Sequence, residues 1–312
     1  LVIRIGVICG GRSAEREVSL RSGEAVYQAL LSAGYTNIVK IDAKNDLVEQ
    51  LKQNKIELAF LSLHGKYGED GTIQGLLEML DIPYTGSGVL ASAMAISKIA
   101  TKKIFQLENI PTPAFTVITR REVNKKGIEA AAARAIKEVG VPAVVKANTQ
   151  GSTIGITFVH SADKMSEAIT SALNYDQDVL IEEFITGMEV TASVLGNDEP
   201  LALPLIEITS TTGVYDYEAK YTPGMSNHII PPRLPEEVQR KIEELAVKAF
   251  IALGCRGLGR VDFMITDSKV FALEINTLPG MTATSLFPDA ARYAGIEFPQ
   301  LADRLVKLAL EK

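Results

Sequence analysis

The sequence predicts an α/β unit built on a parallel sheet, then a small mixed α/β unit, then an α+β unit. Three observations carry that reading. Apolar, β-branched runs alternate with helical segments up to about Ser97, the order that puts helices on the faces of a parallel sheet. From Glu189 onward the pattern changes to strands and one long amphipathic helix. The length of 312 residues suits two or three domains of ~100–150 residues.

In chain order, Val2–Cys9 is an apolar run closed by Gly10-Gly11, a strand entering a turn. Ser19–Leu31 carries Leu20, Ala25, Val26, Ala29 and Leu30 at helical spacing and stops at Gly34. Asn37–Ile41 and Ile56–Leu63 are strands, with helix Leu47–Gln53 between them and helix Thr72–Leu80 after. Lys98–Glu108 is a helix ended by Pro111 and Pro113. Strands Ala114–Thr119, Ala143–Ala147, Gly151–Val159 and Val179–Phe184 surround the alanine-rich helix Ile128–Gly140. Further on, Val190–Leu195, Leu201–Ile208, Val261–Ile265 and Val270–Ile275 are strands, and Glu236–Leu253, Leu286–Ala294 and Pro299–Glu311 are helices. Thr209–Pro232 is long, polar and without period, which marks a functional lid more often than a linker. The units are then 1–97, 98–184 and 185–312, with the lid at 209–232.

Composition narrows the function. Hydrophobic residues at 46% and charged residues at 22% exclude disordered, collagen-like and coiled-coil chains. A net charge of −6 argues against a nucleic-acid partner, which needs a basic footprint. No apolar run approaches the ~18–20 residues of a membrane helix, and LVIRIGVICGG reads as a strand with no signal-peptide pattern. Cys9 and Cys255, far apart in apolar surroundings, fit buried thiols in a reducing cytoplasm.

Arg260-Val261-Asp262 and Glu274-Ile275-Asn276 form the strongest local signal. Glu274 and Asn276 are two apart on a strand and share a face. Two carboxylates and an amide oxygen are hard ligands that suit Mg²⁺ beside phosphates. A two-residue turn near Thr266–Lys269 would pair Asp262 with Leu273 and put Glu274 on the other face; an odd loop or a bulge is required. From spacing alone, a cation site and an acid-lined sheet edge with Arg260 neutralising Asp262 stand level. Lys146 ends a strand before the small-residue loop Ala147–Gly155; such loops can aim N–H groups at phosphates, although ordinary hairpin loops look alike and this is no Walker A sequence. Glu182, Glu183 and Glu189 sit around a strand end and a turn, where acids can meet a ribose or an amine or simply face water. Gly10–Glu15 lies where an open α/β sheet places its ligand loop. It lacks the G-x-G-x-x-G spacing, and no acid closes the second strand in the dinucleotide manner, so a nicotinamide is disfavoured. His64 ends the third strand beside the same crevice. Leu278–Thr282 is either an ordinary turn or a presenter of oxyanion-binding N–H groups.

Taken together and in this order, the segments resemble the D-alanine–D-alanine ligases of the ATP-grasp superfamily. The match is carried by Glu15–Ser19, LHGKYGEDGTIQG (63–75), PYTGSG (83–88), GSTIG (151–155), YDYEAKY (215–221), GLGRVDFM (257–264) and LEINTLPGMT (273–282), spread over nearly the whole chain. The resemblance implies a Rossmann-like N-terminal domain followed by an ATP-grasp fold of two α+β units. It also implies a reaction in which ATP phosphorylates one D-alanine carboxylate and the amine of a second D-alanine displaces phosphate, for peptidoglycan precursor synthesis.

Carried over to this sequence, the resemblance assigns Lys98 and Lys146 to the α- and β-phosphates, with Gly151–Gly155, Thr153 among them, covering them. Glu182 and the backbone of Glu183 and Ile185 meet adenine, Glu189 the ribose, and Lys220 the γ-phosphate. Asp262, Glu274 and Asn276 hold two Mg²⁺ ions. Glu15 takes the first ammonium, supported by Ser152 and Tyr221, with His64 nearby. Arg260 and the Gly280 N–H stabilise the oxyanion, and Ser285 and Leu286 lie at the second carboxylate. Mn²⁺ able to replace Mg²⁺, a stimulatory monovalent cation such as K⁺, a homodimer through the N-terminal unit and a cytoplasmic location complete what the resemblance implies. Ala147, Gln150 and Thr153 depart from the common residues of the family near the phosphate loop. Another ATP-grasp carboxylate–amine ligase, or a relative that binds nucleotide without turnover, are the competing readings. The joint presence of Glu15, Ser152 and Tyr221 speaks against the first, and intact Lys220, Arg260, Asp262, Glu274 and Asn276 against the second.

Overall fold

The structure is a computed structural model that describes residues 3–151, 155–210, 226–267, 269–282 and 284–311. Among these residues it contains three sheets, one for each predicted unit. The first is parallel, in the order β2 (Ile38–Asp42), β1 (Ile5–Cys9), β3 (Leu58–Leu61). Every residue of β1 and β3 is buried, as expected of parallel strands covered on both faces. One face carries Ile8, Ile41 and Leu61 against Leu51 of α2 (Leu47–Gln53) and Ile73 of α3 (Thr72–Met79). The other carries Ile5, Val7 and Phe60 against α1 (Arg16–Ser32). Helix α4 (Val89–Ile96) follows, a short element that the run VLASAMAI, apolar but for Ser92, gives no helical period to announce.

Helix α5 (Lys98–Leu107) leads to the second sheet, antiparallel in the order β4 (Phe115–Thr119), β7 (Asp178–Glu183), β5 (Ala143–Ala147), β6 (Ile156–Val159). Helices α6 (Arg120–Lys126), α7 (Ile128–Val139) and α8 (Met165–Ala172) belong to the same unit. Ala131 and Ala135 of α7 and Ala168 and Ile169 of α8 form its core with Val145 and Ile181. Small alanines let the helices close onto a four-stranded sheet. The sequence reading has no counterpart of α6 or α8; α6, RREVNKK, buries no residue and so shows no apolar stripe.

The third sheet runs β11 (Ser226–Ile229), β10 (Ile206–Ser210), β8 (Met188–Gly196), β12 (Gly257–Thr266), β13 (Lys269–Asn276), with β9 (Leu201–Ala202) beside β8. The expected strand Leu201–Ile208 is therefore two strands, divided at Leu203–Leu205, where Pro204 has no N–H for the ladder. The expected loop 209–232 is also corrected at both ends. Thr209 and Ser210 finish β10, and Asn227 and His228 pair with Thr209 and Ile208; the four-residue strand is too short to show alternation. Helix α9 (Glu236–Ala252) lays Ile242, Ala246, Ala249 and Phe250 against Val261, Phe263 and Ile275.

Helices α10 (Leu286–Tyr293) and α11 (Phe298–Leu310) lie between the third sheet and the first unit, with Phe287 in one cluster with Ile206 and Ile208. Leu301, Leu305 and Val306 share a core with Val26, Leu30 and Phe60, and Tyr35 Oη donates to Asp303 Oδ1 at 2.9 Å. Leu305 is 1% exposed, so Leu305→Ala removes buried methyl groups from a seam that both ends of the sequence build. The expected cost is about 2–5 kcal/mol. Urea unfolding followed by far-UV circular dichroism will show it, with the N-terminal unit losing structure in the same transition.

Candidate active site

The hairpin β12–β13 decides the site. Its turn leaves two residues between the paired Thr266 and Lys269, the geometry that would set Asp262 against Leu273. A bulge between Asp262 and Phe263 shifts the register, so Phe263 pairs Ala272 while Asp262 pairs Glu274 and Arg260 pairs Asn276. Leu273 is the extra residue. All four polar side chains thus share one face, while Val261, Phe263 and Ile275 enter the core.

On that face Arg260 grips Asp262 with two bonds, Nε to Oδ1 at 2.9 Å and Nη2 to Oδ2 at 2.8 Å. Thr191 Oγ1 donates to Oδ1 at 2.6 Å, and Asn276 Nδ2 to Oδ2 at 3.2 Å. Asp262 is 6% exposed, a buried carboxylate with its charge paired. Arg260 neutralises Asp262, the sheet-edge arrangement set beside the cation site above, and both fit one site.

Helix α5 brings two lysines one turn apart to the opposite wall. Lys98 Nζ lies 3.5 Å from Glu274 Oε2 and donates to the Gln150 carbonyl at 2.7 Å. Lys102 Nζ lies 2.6 Å from Glu182 Oε2 and donates to Thr112 Oγ1 at 2.7 Å. Lys146 pairs with the other oxygen of Glu182. Burial alone would raise the Glu182 carboxyl, but Lys146 and Lys102 outweigh it and hold it below its ordinary range. Burial would likewise lower Lys146, yet Glu182 and Glu274 keep it above its usual value. Glu182, expected against adenine, therefore already engages two lysines. Asn148 straps this wall together: its Oδ1 accepts from the Ile99 N–H and the Ser97 hydroxyl, and its carbonyl from the Lys98 N–H, satisfying donors at the start of α5.

Two cavities meet here. One, of about 240 Å³, lies between the second and third sheets and is lined by Lys146, Glu182, Glu183, Ile185, Glu189 and Asp262. The other, of about 420 Å³, lies between the first unit and the third sheet and is lined by Glu15, His64, Arg260, Gly280, Ser285 and Leu286. Lys98, Gln150, Gly151 and Glu274 line both. The structure thus brings the described residues expected at the nucleotide to one chamber and those expected at the amino acids to the next, with a shared wall. Ser152, Thr153, Lys220 and Tyr221 lie outside the described residues, as does most of the expected lid.

Within the larger cavity, Gly65 has a φ of +69°, and a Cβ there would stand 2.7 Å from Glu15 Oε2; only glycine leaves Glu15 its place. His64 Nε2 is 3.2 Å from Ser22 Oγ, which also accepts from the Met281 N–H at 3.5 Å. Burial holds the imidazole below its ordinary value, against the pull of Glu15. Ser285 Oγ accepts from the Thr282 N–H at 3.0 Å and so closes the turn that carries Gly280. Asp42 corrects the expectation that no acid closes the second strand. It ends β2, but Arg16 and the Gly11 N–H engage it, so it is spent inside the unit.

Sequence reasoning gave no role to Glu69, Ser22, Asn148 or Lys102. Only Lys102 had a readable signal, its place four residues after Lys98. As for a cation, no three His, Cys, Asp or Glu side chains gather as a metal cage among the described residues. A cation must then share its ligands with Asn276 and with phosphate oxygens. The oxygen-rich set Asp262, Glu274 and Asn276 fits such a half-built site for a hard ion.

Glu69 accepts from the Gly65 N–H at 2.6 Å. Burial first, and Glu15 second, push its carboxyl up to about 8. An acid raised in this way supports the fold in its protonated form. Its contribution is complete below the unfolded value and is lost as pH rises through about 8. Glu69→Gln, which cannot ionise, should therefore gain melting temperature relative to the parent between roughly pH 5 and pH 9. Scanning fluorimetry of the two proteins across that range checks it; parallel curves would mean that Glu69 stays ionised throughout.

Comparison with known proteins agrees with this geometry. A family model described as D-ala D-ala ligase N-terminus matches residues 40–87, and one described as D-ala D-ala ligase C-terminus matches residues 104–307. The D-alanine–D-alanine ligase of Desulforamulus reducens is 77% identical over 312 residues, covering 100% of both chains. A crystal structure of the D-alanine–D-alanine ligase from Bacillus anthracis complexed with ATP superposes with a TM-score of 0.85 at 35% identity, covering 99% of this chain and 97% of that one. The VanG D-Ala:D-Ser ligase of Enterococcus faecalis superposes at 0.84 with 32% identity, covering 99% and 100%. With both family models matched and a full-length relative this similar, the chain belongs to the D-alanine–D-alanine ligase family.

Proposed function

We infer that this protein joins two D-alanines to D-alanyl-D-alanine at the expense of ATP, releasing ADP and phosphate, for peptidoglycan precursor synthesis. One observation carries the reading: Lys98, Gly151 and Glu274 line both cavities. A group handed from a nucleotide in one chamber to an amino acid in the other must cross this wall.

In this mechanism the units 98–184 and 185–312 enclose ATP, and the unit 1–97 supplies the first-substrate side. Lys98 and Lys146 hold the phosphates, Glu189 the ribose, and Glu183 and Ile185 the adenine edge, with Glu182 behind them. Glu15 holds the first ammonium and so turns that D-alanine's carboxylate toward the wall. A carboxylate oxygen attacks the γ-phosphorus, ADP leaves, and an acyl phosphate forms. Asp262, Glu274 and Asn276 would hold divalent cations, Mg²⁺ or Mn²⁺, which neutralise phosphoryl charge. Ser285 and Leu286 seat the second carboxylate, and the deprotonated second amine attacks the acyl carbon. Arg260, its plane fixed by Asp262, and the Gly280 N–H stabilise the oxyanion until phosphate departs. Lys220, Tyr221, Ser152 and the lid would then exclude water, which otherwise hydrolyses the intermediate. ATP supply favours a cytoplasmic site of action; no helix among the described residues is long and apolar enough to cross a membrane. Homodimer formation would use the N-terminal unit, where Met79 and Leu90 are exposed.

The second acceptor is the point at which family members differ, since VanG is a D-Ala:D-Ser ligase. D-Alanine is the reading favoured by the relative of 77% identity. Given equimolar D-alanine, D-serine and D-lactate with MgATP, the protein should release phosphate and form chiefly D-alanyl-D-alanine by mass spectrometry. A dominant mixed product would overturn the acceptor while sparing the ligase. Glu274→Gln should fold normally and lose ~10³-fold or more in kcat; unchanged turnover at limiting Mg²⁺ would remove Glu274 from the site.

A further inference from the structure

We propose that Lys102 is a positioning residue for nucleotide binding: it neutralises Glu182 from behind, so that the charge of Lys146 is left for the phosphates. The proposal rests on the nucleotide reading of the smaller cavity. Lys102 is wholly buried, sits on α5 and does not line either cavity. Its Nζ is 2.6 Å from Glu182 Oε2 and donates to Thr112 Oγ1, which donates to the Ala272 carbonyl at 2.7 Å. That chain fixes the ammonium between the second and third sheets. Lys146 takes the other oxygen of Glu182 and lines the nucleotide cavity.

The arithmetic of charge follows. With Lys102 present, Glu182 faces two cations and the trio carries a net positive charge. A phosphate arriving at Lys146 need not compete with a carboxylate that has no other partner. Without Lys102, Glu182 and Lys146 cancel, and a nucleotide must break a buried ion pair to gain the lysine. The effect reaches phosphates alone, because adenine and ribose carry no charge.

The test is titration of ADP and, separately, adenosine into the purified full chain, its Lys102→Met variant and the Lys102→Met/Glu182→Gln pair. Lys102→Met should weaken ADP by about tenfold to a hundredfold and leave adenosine within about twofold of the parent. The pair should regain most of the ADP affinity, because a neutral amide in place of the carboxylate no longer claims Lys146. A defect from misfolding would instead lower both ligands and deepen in the pair. Parent-like ADP binding by a folded Lys102→Met, or a pair no better than the single variant, would overturn the proposal. If Lys102→Met does not fold, Lys102→Gln decides with the same two ligands: ADP should weaken about tenfold or more with adenosine within about twofold, and an unchanged ADP affinity or equal losses for both ligands would count against it. A parent that binds no ADP would instead overturn the nucleotide reading, and the proposal with it.

Discussion

Everything polar in this site depends on one irregularity of backbone, the bulge that sets Asp262 opposite Glu274. A hairpin with a two-residue turn pairs its strands by simple counting, and counting would set Glu274 against Val261, in the core beside Phe263, and turn Ile275 out to the cleft. The added residue rotates the outer part of β13 so that acids face the cleft and apolar side chains face α9. Arg260 then meets Asp262 across the same surface, and Glu274 meets Lys98 from the opposite wall. Bulges recur where a sheet must aim particular side chains, and here the aim is a face whose charges pair before any ligand arrives.

That face would be of little use without the units around it. Helix α5 buries Phe105 in the core of the third sheet while Lys102 reaches Glu182 in the second, so it joins the two walls of the cleft. Asn148 ties the start of that helix to the loop after β5. The larger cavity is set differently, by α10 and α11 crossing back to the first sheet. Glu15, at the start of α1, faces Gly280 because α1 and α11 share a core.

Much of this could be read from the residues. Alternation of apolar runs and amphipathic segments was enough for the parallel sheet, and the spacing of Glu274 and Asn276 for their common face. The condition on the hairpin could be stated, but not resolved, because a bulge leaves no mark in composition. Lys102 stands one turn after Lys98 in KIATKK and was given no role; only the fold brings Glu182 of β7 to it. Glu69 was quoted within a motif without a role, since its raised carboxyl comes from burial and from Glu15, neither visible locally. Asp42 was overlooked at the end of its strand, because the predicted boundary stopped one residue short. Helix α4 was missed for the opposite reason: a segment apolar but for Ser92 offers no polar side from which to infer a period.

The return of α10 and α11 to the first sheet also bears on how such a chain can evolve. The first sheet has two owners, because Phe60 and Val26 are covered by Leu301 and Leu305. Replacement of the opening segment by recombination would leave a foreign surface under α11, and replacement of the closing segment would do the same beneath α1. The middle unit has a core of its own in Ala131, Ile169 and Ile181, and Phe105 and Ile110, on and just after α5, tie it to the core of the third sheet. Strands β4 to β7 can therefore be exchanged together with the core that supports them, whereas a change in the seam between α1 and α11 must be inherited from two distant segments together or accumulate one substitution at a time.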